Sequence, residues 1–316
     1  MSGDHGRPPR AIVFAYHDVG VRCLSVLLAH GVQVPLVVTH RDDPNENVWF
    51  ESVDKLARGY GLEVATPDDP NAPEFIERLQ SISPDFIFSF YYRFMLKPPV
   101  LATAMRGAYN MHGSLLPKFR GRAPVNWAVL RGEDVTGATL HEMVEKPDAG
   151  RIVDQFPVPI LPDDRAIDVF RKVTAAAELL LDRSLDAVLD GMAQPQEQDL
   201  SRGGYFRGRT SDDGRIDWTR GAREIHNLVR AVAPPYPGAF TLLGGQKLRL
   251  LRTHVVRDTG PERAPRLRFD GRDLLAECAD GGALRVIECD VDGEPLPPAR
   301  FAEHFGGEPV ALGETQ

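Results

Sequence analysis

The sequence has 316 residues, of which 42% are hydrophobic and 26% charged, and its formal net charge at pH 7 is −8. This apolar content excludes a disordered chain, and no stretch approaches the ~20 uninterrupted apolar residues that a membrane helix requires. The negative charge is unfavourable for general binding to nucleic acid or to an anionic membrane surface. Three scattered cysteines predict neither a disulfide framework nor a metal site. We therefore expect a globular, cytoplasmic protein without membrane insertion, nucleic-acid partner or metal.

Short apolar runs alternate with helical patterns through the first part of the chain. Residues 1–10 are polar, contain two prolines and predict a flexible tail. Five strands are then predicted, at 11–16, 34–40, 62–66, 85–90 and 107–113. Helices are predicted between them, at 21–29, 48–60, 73–81 and from Pro98 to near Gly107. This alternation is typical of parallel βαβ units and predicts an α/β domain with a mostly parallel sheet.

The pattern changes near residue 204. Before that point a helix is predicted at 122–132, shorter strands at 135–143 and 151–160, and a long helix at 167–189. A polar stretch rich in Gln and Gly follows, and we place the domain boundary there, with one domain at 11–203 and a second at 204–316. In the second domain a helix at 222–233 precedes short strand-like runs with Gly-containing turns, which predict a smaller β-barrel.

The most informative segment is GAYNMHGSLLPKFRGRAPVNW, at residues 107–127. Asn110 and His112 are two residues apart, and on a strand such residues face the same side. Gly113 permits a sharp turn, so we expect the amide and the imidazole to project together beyond the carboxyl end of a parallel strand, where ligands bind in open α/β sheets. Such a pair can stabilise an oxyanion that develops in acyl transfer. The alternative is that both side chains only serve a turn.

Other polar residues have structural alternatives as well. Asp148, in KPDAGR at 146–151, lies in a loop where an Asx turn with the next two residues is the common outcome. His17 and Asp18 are adjacent, so their side chains face opposite ways, and we expect loop contacts rather than a catalytic pair. The sequence contains no nucleophile motif, no glycine-rich phosphate loop and no HExxH.

Two of these segments resemble motifs of one family. NMHGSLLPKFRG, at 110–121, is similar to the N-x-H-x-S-L-L-P-x-x-R-G signature of the folate-dependent formyltransferases, and KPDAG resembles their D-x-G motif. The resemblance implies a Rossmann-like N-terminal domain, an OB-like C-terminal barrel and the co-substrate 10-formyltetrahydrofolate. It implies that Asn110, His112 and Asp148 are catalytic. Residues 1–203 are then expected to bind the folate without the second domain, because they contain all three catalytic residues.

The resemblance also implies binding residues. Those assigned to the folate are Phe88, Phe90, Tyr92, Arg93 and Gly150. Those assigned to the acceptor substrate are Ser114, Arg120, Arg122, Asn126 and Arg230. The first two arginines suit a pyrophosphate, because guanidinium groups bind phosphate in a bidentate way. They are equally explained as solvated charges or as partners of local acids, and Phe88 and Phe90 as core residues of a strand.

Within the family, VFAYHDVG, FIFSFYYR, GRAPVNW and VRAVAPPYPGAF resemble the formyltransferase half of the bifunctional polymyxin-resistance protein. That protein formylates UDP-4-amino-4-deoxy-L-arabinose for lipid A modification, so the resemblance implies an N-formyltransferase acting on a nucleotide-linked amino sugar. Because this chain stops at Gln316, the preceding oxidative decarboxylation is expected from a separate polypeptide. A homo-oligomer is left open.

The alternative is a methionyl-tRNA formyltransferase. Those enzymes typically carry a basic loop after the second strand, where this chain has the acidic RDDPNE at 41–46, and they read GAAP followed by Ile-Gln instead of GRAPVNW. Residues 204–316 contain 16 Lys and Arg against 17 Asp and Glu, which gives little general attraction for RNA, although 247–272 is locally basic.

Overall fold

The structure is a computed structural model, and it describes residues 7–44 and 46–313. The chain divides into two compact units. The first unit comprises Met1–Pro124, Thr136–Val158 and Arg171–Phe206, and the second comprises Val125–Val135, Pro159–Phe170 and Arg207–Gln316. The predicted tail lies outside the described residues as far as residue 6. The sequence pattern gives no sign that two earlier pieces belong to the second unit.

The elements of the first 206 residues follow the predicted alternation. In chain order they are β1 (Arg10–Ala15), α1 (His17–Ala29), β2 (Gln33–Val38), α2 (Val53–Gly59), β3 (Val64–Ala65), α3 (Pro73–Ile82), β4 (Phe86–Phe90), α4 (Pro98–Leu101), β5 (Gly107–His112), β6 (Arg120–Gly121), α5 (Pro124–Leu130), β7 (Val135–Glu142), β8 (Ile152–Pro159), α6 (Ala166–Leu189) and β9 (Tyr205–Phe206). The main sheet has the order β3-β2-β1-β4-β5-β7-β8. Neighbours from β3 to β5 pair in parallel and β5 pairs antiparallel with β7, which confirms the mostly parallel α/β sheet.

This strand order places a topological switch point between β1 and β4. From β1 the chain proceeds outward through β2 to β3, whereas β4 leads in the opposite direction to β5. The connecting loops diverge at such a point and leave a crevice at the carboxyl ends of the strands, where ligands bind. The strands β4 and β5, together with the segments that follow them, contain most of the residues that the sequence assigns to a site.

The central strands are buried along their length, which explains their uninterrupted apolar sequences. Ile12 of β1 is paired with Ile87 of β4, so both side chains lie on the same face of the sheet. That face packs against α3 and α4 in one buried cluster, formed by Ile12, Phe14, Leu36, Val38, Ala65, Phe75, Leu79, Ile87, Leu96 and Val100. Each fully buried side chain of this size stabilises the fold by about 1.5–3 kcal/mol, so the cluster anchors the strands that position the loops.

Two helices differ in length from the sequence prediction. α1 begins at His17, four residues before the predicted start at 21, because the polar residues of its first turn carry no apolar periodicity. α4 ends at Leu101 instead of near Gly107, because the amides of Met105 and Arg106 donate to the carbonyls of Pro84 and Asp85, at 3.0 and 2.8 Å. The local sequence pattern does not show these bonds, because they join the chain to residues that precede β4.

The second unit combines helices with an antiparallel sheet. After α5, its elements are α7 (Ala222–Val232), β10 (Ala239–Leu243), β11 (Gln246–Arg257), β12 (Arg266–Phe269), β13 (Leu274–Glu277), β14 (Ala283–Val291), β15 (Glu294–Pro295), α8 (Phe301–Phe305) and β16 (Val310–Ala311). The strand order is β10-β11-β14-β13-β12-β16, with β15 beside β14, and the sheet curls into a half-barrel. α7 packs on it, and His226 Nδ1 lies 2.9 Å from Thr253 Oγ1 of β11. Among the described residues, no helix is long and apolar enough to cross a membrane.

Candidate active site

Four polar side chains share one face of the sheet where β5 pairs with β7. Asn110 lies opposite His141, and His112 lies opposite Thr139. Directly opposed residues of an antiparallel pair, and residues two apart on one strand, face the same side. The register therefore adds a second imidazole to the predicted amide and imidazole. His141 was not predicted from the sequence. The signal for it was a pair of polar residues two apart, Thr139 and His141, in a buried strand.

His112 is held by its own loop. Its side chain is almost fully buried, and Nε2 donates to the carbonyl oxygen of Phe119 at 2.9 Å. Because a carbonyl only accepts hydrogen bonds, Nε2 carries the proton. The other ring nitrogen, Nδ1, lies 3.6 Å from Oδ1 of Asp148. The structure thus brings the predicted pair His112 and Asp148 together across 36 residues of sequence.

His141 is fixed in the same manner. Its Nδ1 donates to the carbonyl oxygen of Glu142 at 2.8 Å. Its Nε2 lies 3.1 Å from Asn110 Nδ2 and 3.6 Å from Oδ1 of Asp148. The imidazole therefore bridges the amide and the carboxylate, and it sets which end of the Asn110 amide faces it.

The Asp148 carboxylate is the centre of this cluster. Oδ2 accepts from the backbone amide of Gly121 at 2.8 Å, while Oδ1 faces both imidazoles. Burial by itself raises the pKa of this carboxyl, but the positive potential of His112 and His141 and the Gly121 amide outweigh it, so the pKa lies well below the ordinary value for aspartate. Asp148 is therefore an anion at neutral pH.

Gly150 permits the close approach of the Asp148 loop to β7. A Cβ at this position would lie 1.9 Å from the carbonyl oxygen of Glu142, which no side chain can tolerate. The predicted role of Gly150 in folate binding is untested by these contacts.

Ser114 acts inside the loop that follows β5. Its hydroxyl, which is fully buried, donates to the carbonyl oxygen of Lys118 at 2.6 Å. Thr139 donates to the carbonyl oxygen of Ser114 and accepts from the Leu116 amide. Gln155 in turn donates to the Thr139 hydroxyl at 2.9 Å. These bonds fix the loop to the face of the sheet that carries His112, and substrate binding by Ser114 stays a prediction.

The two arginines of this loop differ in their surroundings. Arg120 is buried, and its guanidinium donates to the carbonyl oxygens of Leu200 and Gly203, each at 3.2 Å. Arg122 is exposed, and its guanidinium has no hydrogen-bond or ion-pair partner within residues 7–44 and 46–313. Only Arg122 therefore has its charge available for a ligand.

The predicted folate segment follows β4. Phe88 and Phe90 are fully buried, and their rings lie 5.9 Å apart in the aromatic core, so any contact they make with a ligand involves the backbone. Tyr92 stacks on His40 with 4.2 Å between ring centroids. Its hydroxyl is buried and has no hydrogen-bond partner in the described part of the chain.

Arg93 connects the same segment to the acidic loop after β2. Its guanidinium makes two bonds of 2.6 Å to Glu46 and lies 4.6 Å from the ring centroid of Tyr16, whose hydroxyl donates to Asp42. Its amide donates to His40 Nε2. Two acidic residues of the loop at 41–47 are thus engaged within the first unit.

Histidine and aspartate after β1 serve the local backbone. His17 Nδ1 accepts from the Asp18 amide at 3.0 Å, and Asp18 accepts from the Glu51 amide at 2.8 Å. Burial lowers the pKa of His17 to about 3 and that of His40 to about 4, so both rings are neutral at pH 7.

Two predicted acceptor-binding residues, Asn126 and Arg230, lie in the second unit. Asn126 Nδ2 donates to the carbonyl oxygen of Ala231 at 2.8 Å. Arg230 makes bonds of 2.8 and 3.0 Å to Asn227 Oδ1 and one of 3.2 Å to the carbonyl oxygen of Asp164. Both side chains are buried in contacts of that unit, and a substrate contact stays a prediction. No group of three or more His, Cys, Asp or Glu suited to a metal ion occurs among the described residues.

The amide, the imidazoles and the carboxylate form an arrangement suited to stabilising an oxyanion during acyl transfer. The family comparison agrees with this chemistry: residues 24–185 match the formyl transferase profile, and residues 209–306 match the profile of the formyl transferase C-terminal domain. The chain belongs to the formyl transferase family and is an enzyme of formyl-group transfer. The resemblance to that family deduced from the sequence is confirmed.

Solved structures share the fold. The N-formyltransferase from Helicobacter canadensis, crystallised with folinic acid and dTDP-3-aminofucose, is 19% identical with a TM-score of 0.69, and the match covers 89% of this chain and 99% of that one. WlaRD, a sugar 3N-formyl transferase solved with dTDP and 5-N-formyl-THF, is 18% identical with a TM-score of 0.70 over 92% and 100%. HypX from Aquifex aeolicus, in complex with tetrahydrofolic acid, is 20% identical with a TM-score of 0.61, over 94% of this chain and 47% of HypX.

Proposed function

We propose that this protein transfers a formyl group from 10-formyltetrahydrofolate to the amino group of a nucleotide-linked amino sugar. The observation that carries the proposal is the cluster of Asn110, His112 and Asp148 at the carboxyl edge of the sheet, in a chain whose two halves both match formyl transferase profiles. The acceptor that we propose is UDP-4-amino-4-deoxy-L-arabinose, as an intermediate of lipid A modification, since the sequence resembles the enzymes that act on it.

The segment after β4 suits a folate. The buried hydroxyl of Tyr92 lacks a hydrogen-bond partner in the described residues, so it is available to a polar ligand. We propose that the folate is held by Tyr92, Arg93, the backbone at Phe88 and Phe90, and the loop at Gly150. The folinic acid and 5-N-formyl-THF in the two sugar-modifying neighbours support this co-substrate.

When bound, the co-substrate supplies the formyl group. The formyl carbon forms a bond to the acceptor amine, and its bond to the folate nitrogen breaks. The proton that the amine loses passes to that folate nitrogen. The Asn110 amide donates a hydrogen bond to the oxyanion that develops on the formyl oxygen. We assign His112 to the same oxyanion through the Nδ1 side of its ring, because Nε2 is bound to the Phe119 carbonyl. Asp148 is anionic and lies 3.6 Å from His112 Nδ1, and we assign to it the relay of the proton lost by the attacking amine to the folate nitrogen, directly or through water.

A nucleotide sugar also requires a group for its pyrophosphate. Arg122 is the arginine of the signature loop whose guanidinium is uncommitted among the described residues, and a planar fork of donors matches a phosphate group. The dTDP and dTDP-sugar ligands of the two N-formyltransferase neighbours support a nucleoside diphosphate as the carrier of the amino sugar.

The test is mass spectrometry of acceptors after incubation with the enzyme and 10-formyltetrahydrofolate. We expect one added formyl group on UDP-4-amino-4-deoxy-L-arabinose, less on a dTDP-3-amino sugar and none on methionyl-tRNA, with Asp148→Asn as the inactive control. Formylation of the dTDP sugar alone would replace the proposed acceptor. Formylated methionyl-tRNA as the sole product would overturn the proposal in favour of the tRNA enzyme.

A further inference from the structure

Residues 196–206, here called the strap, contact both loops of the candidate active site. At its start, Gln196 exchanges two backbone hydrogen bonds with Ile152, of 2.7 and 2.8 Å. At its end, β9 pairs in parallel with β6. The amide of Arg122 donates to the Phe206 carbonyl at 2.9 Å. The strap is therefore fixed beside the Asp148 loop and beside the loop after His112.

Gln198 lies between these two attachments. Its Nε2 donates to the carbonyl oxygens of Asp148 and Gly150, at 3.1 and 2.6 Å. Two carbonyl acceptors leave only one orientation for the amide, since the oxygen of Gln198 cannot replace the nitrogen there. The amide thus spans the two residues whose positions decide where the Asp148 carboxylate lies.

Stability alone does not account for glutamine at this position. With both N–H bonds made, Oε1 of Gln198 is buried and has no hydrogen-bond partner within residues 7–44 and 46–313. A buried acceptor without a partner is unfavourable, and an unbranched apolar side chain of the same length avoids it. What only glutamine supplies here is the pair of donors facing the Asp148 loop.

The loop that Gln198 holds is conformationally demanding. Asp148 has a φ of 51°, in the left-handed region, where a non-glycine residue stays only if its surroundings fix it. Its carboxylate reaches the amide of Gly121 on β6, and β6 is paired with the strap. The strap therefore holds the backbone of Asp148 at one point and the donor to its carboxylate at another.

We propose that Gln198 is a positioning residue for formyl transfer, which orients the Asp148 carboxylate between the Gly121 amide and the two histidines through its hydrogen bonds to the Asp148 and Gly150 carbonyls. The expected effect of Gln198 on catalysis rests on the proposed function. Its expected effect on the position of the Asp148 carboxylate does not.

The structural consequence is measured without any substrate. Gln198→Met keeps the length of the side chain and removes both donors, whereas Gln196→Met makes the same change at an exposed position whose backbone alone pairs with Ile152. In the NMR spectrum, we expect the Gly121 amide proton to shift upfield in Gln198→Met, toward its position in Asp148→Ala, and to stay unchanged in Gln196→Met. A Gly121 resonance that is the same in both methionine variants would overturn the proposal, whatever the enzyme formylates.

The catalytic consequence is a kcat effect. A displaced carboxylate changes the rate of the chemical step, by up to about 100-fold for a shift on the order of 1 Å, and leaves the substrate contacts in place. We expect Gln198→Met to lower kcat with little change in the KM of either substrate, and to alter the pH profile of kcat. A variant that unfolds at lower temperature but keeps the wild-type kcat and pH profile per folded molecule would show a purely structural residue and would contradict the proposal.

Discussion

At the scale of single residues, His112 and Asp148 carry the strongest expectation. Neither belongs to the apolar core, and we propose that both act at one point of the site, where His112 Nδ1 lies 3.6 Å from the Asp148 carboxylate. We expect His112→Ala and Asp148→Ala each to lower kcat by roughly 10²–10³, the effect of losing a preorganised oxyanion donor or its charge partner. His304→Ala, an exposed histidine of the second unit, is the control. Near wild-type turnover in a folded His112 or Asp148 variant would remove the assignment.

The two arginines of the signature loop allow a matched comparison. Arg122→Lys keeps the charge and loses the fork, so we expect the KM of the nucleotide sugar to rise about fivefold, on the order of 1 kcal/mol, with a smaller change for the folate. In Arg120→Lys the lost bonds are to the carbonyls of Leu200 and Gly203. We expect that variant to unfold at a lower denaturant concentration while its KM for the sugar stays unchanged. Equal KM increases for both substrates in Arg122→Lys would argue against a pyrophosphate contact.

What the sequence predicted at this scale is limited by distance along the chain. The shared orientation of Asn110 and His112 could be predicted from the sequence, because residues two apart on a strand face the same side. His141 required the antiparallel register of β5 with β7, and Gln198 required contacts across 50 residues to Asp148. The same limit applies to Arg120 and Arg122, since only the fold shows that one guanidinium is bound to backbone carbonyls.

At the scale of elements, His30 links the end of α1 to α6. Its imidazole lies 2.8 Å from Asp186 and 3.0 Å from Asp182, and these two hydrogen bonds raise its pKa above the ordinary value. Because the folded pKa is the higher one, the stabilisation is fully present below the unfolded pKa of about 6.5 and is lost as pH rises through the folded pKa.

We therefore expect His30→Gln to reduce the free energy of unfolding at pH 5.5–6 and to have a smaller effect at pH 8 to 8.5. Urea denaturation of wild type and variant across this range measures the difference. Asp182→Asn, which keeps an acceptor oxygen but removes one of the two negative charges beside His30, is expected to give an intermediate effect. A difference that is independent of pH would show that the ion pairs do not contribute.

The close contact of the Asp148 loop with β7 gives a second expectation at this scale. In Gly150→Ala the new methyl group meets the Glu142 carbonyl, so the loop must move away and carry Asp148 with it. We expect lower thermal stability together with a lower kcat. Gly59→Ala is the control, since a Cβ there meets nothing within 4 Å at the end of α2, and alanine favours a helix by up to about 1 kcal/mol. Wild-type kcat in Gly150→Ala would show that the loop yields without moving the carboxylate.

Elements were predicted well where local periodicity determines them, as for α3, α6 and α7 and the buried strands β1 and β4. The prediction failed for the length of α4, because backbone bonds from Met105 and Arg106 to the residues before β4 end the helix. It also gave no register for β5 against β7. Both features depend on contacts between segments distant in sequence, which hydrophobic patterns do not encode.

At the scale of the whole molecule, the second unit is assembled from three pieces of the chain. Hydrogen bonds join its two earlier pieces to α7. Asn126 donates to the Ala231 carbonyl. The Pro162 carbonyl lies 3.0 Å from His226 Nε2, and the Asp164 carbonyl lies 3.2 Å from an Arg230 nitrogen. A cut at residue 203 therefore separates two pieces of the second unit, 125–135 and 159–170, from the rest of that unit at 207–316. This changes the expectation from sequence that residues 1–203 bind the folate alone.

We expect the fragment 1–203 to aggregate and to bind 5-formyltetrahydrofolate poorly, because Ala128, Val129 and Val169, which are fully buried in the intact chain, lose the part of their unit at 207–316. Co-expression with 204–316 is expected to restore solubility and binding. Gel filtration and calorimetry of the fragment, the pair and the full chain measure this. A monomeric fragment with the affinity of the full chain would contradict the expectation.

The same discontinuity has a consequence for biosynthesis. Residues 125–135 and 159–170 leave the ribosome well before residues 222–232, which form α7. At roughly 5–20 residues per second, the apolar side chains of these pieces stay uncovered in the nascent chain for seconds. In that interval they can associate with other apolar surfaces. The yield of active enzyme in a cell is therefore expected to depend on the supply of chaperones that bind nascent chains and on the pace of translation between these segments.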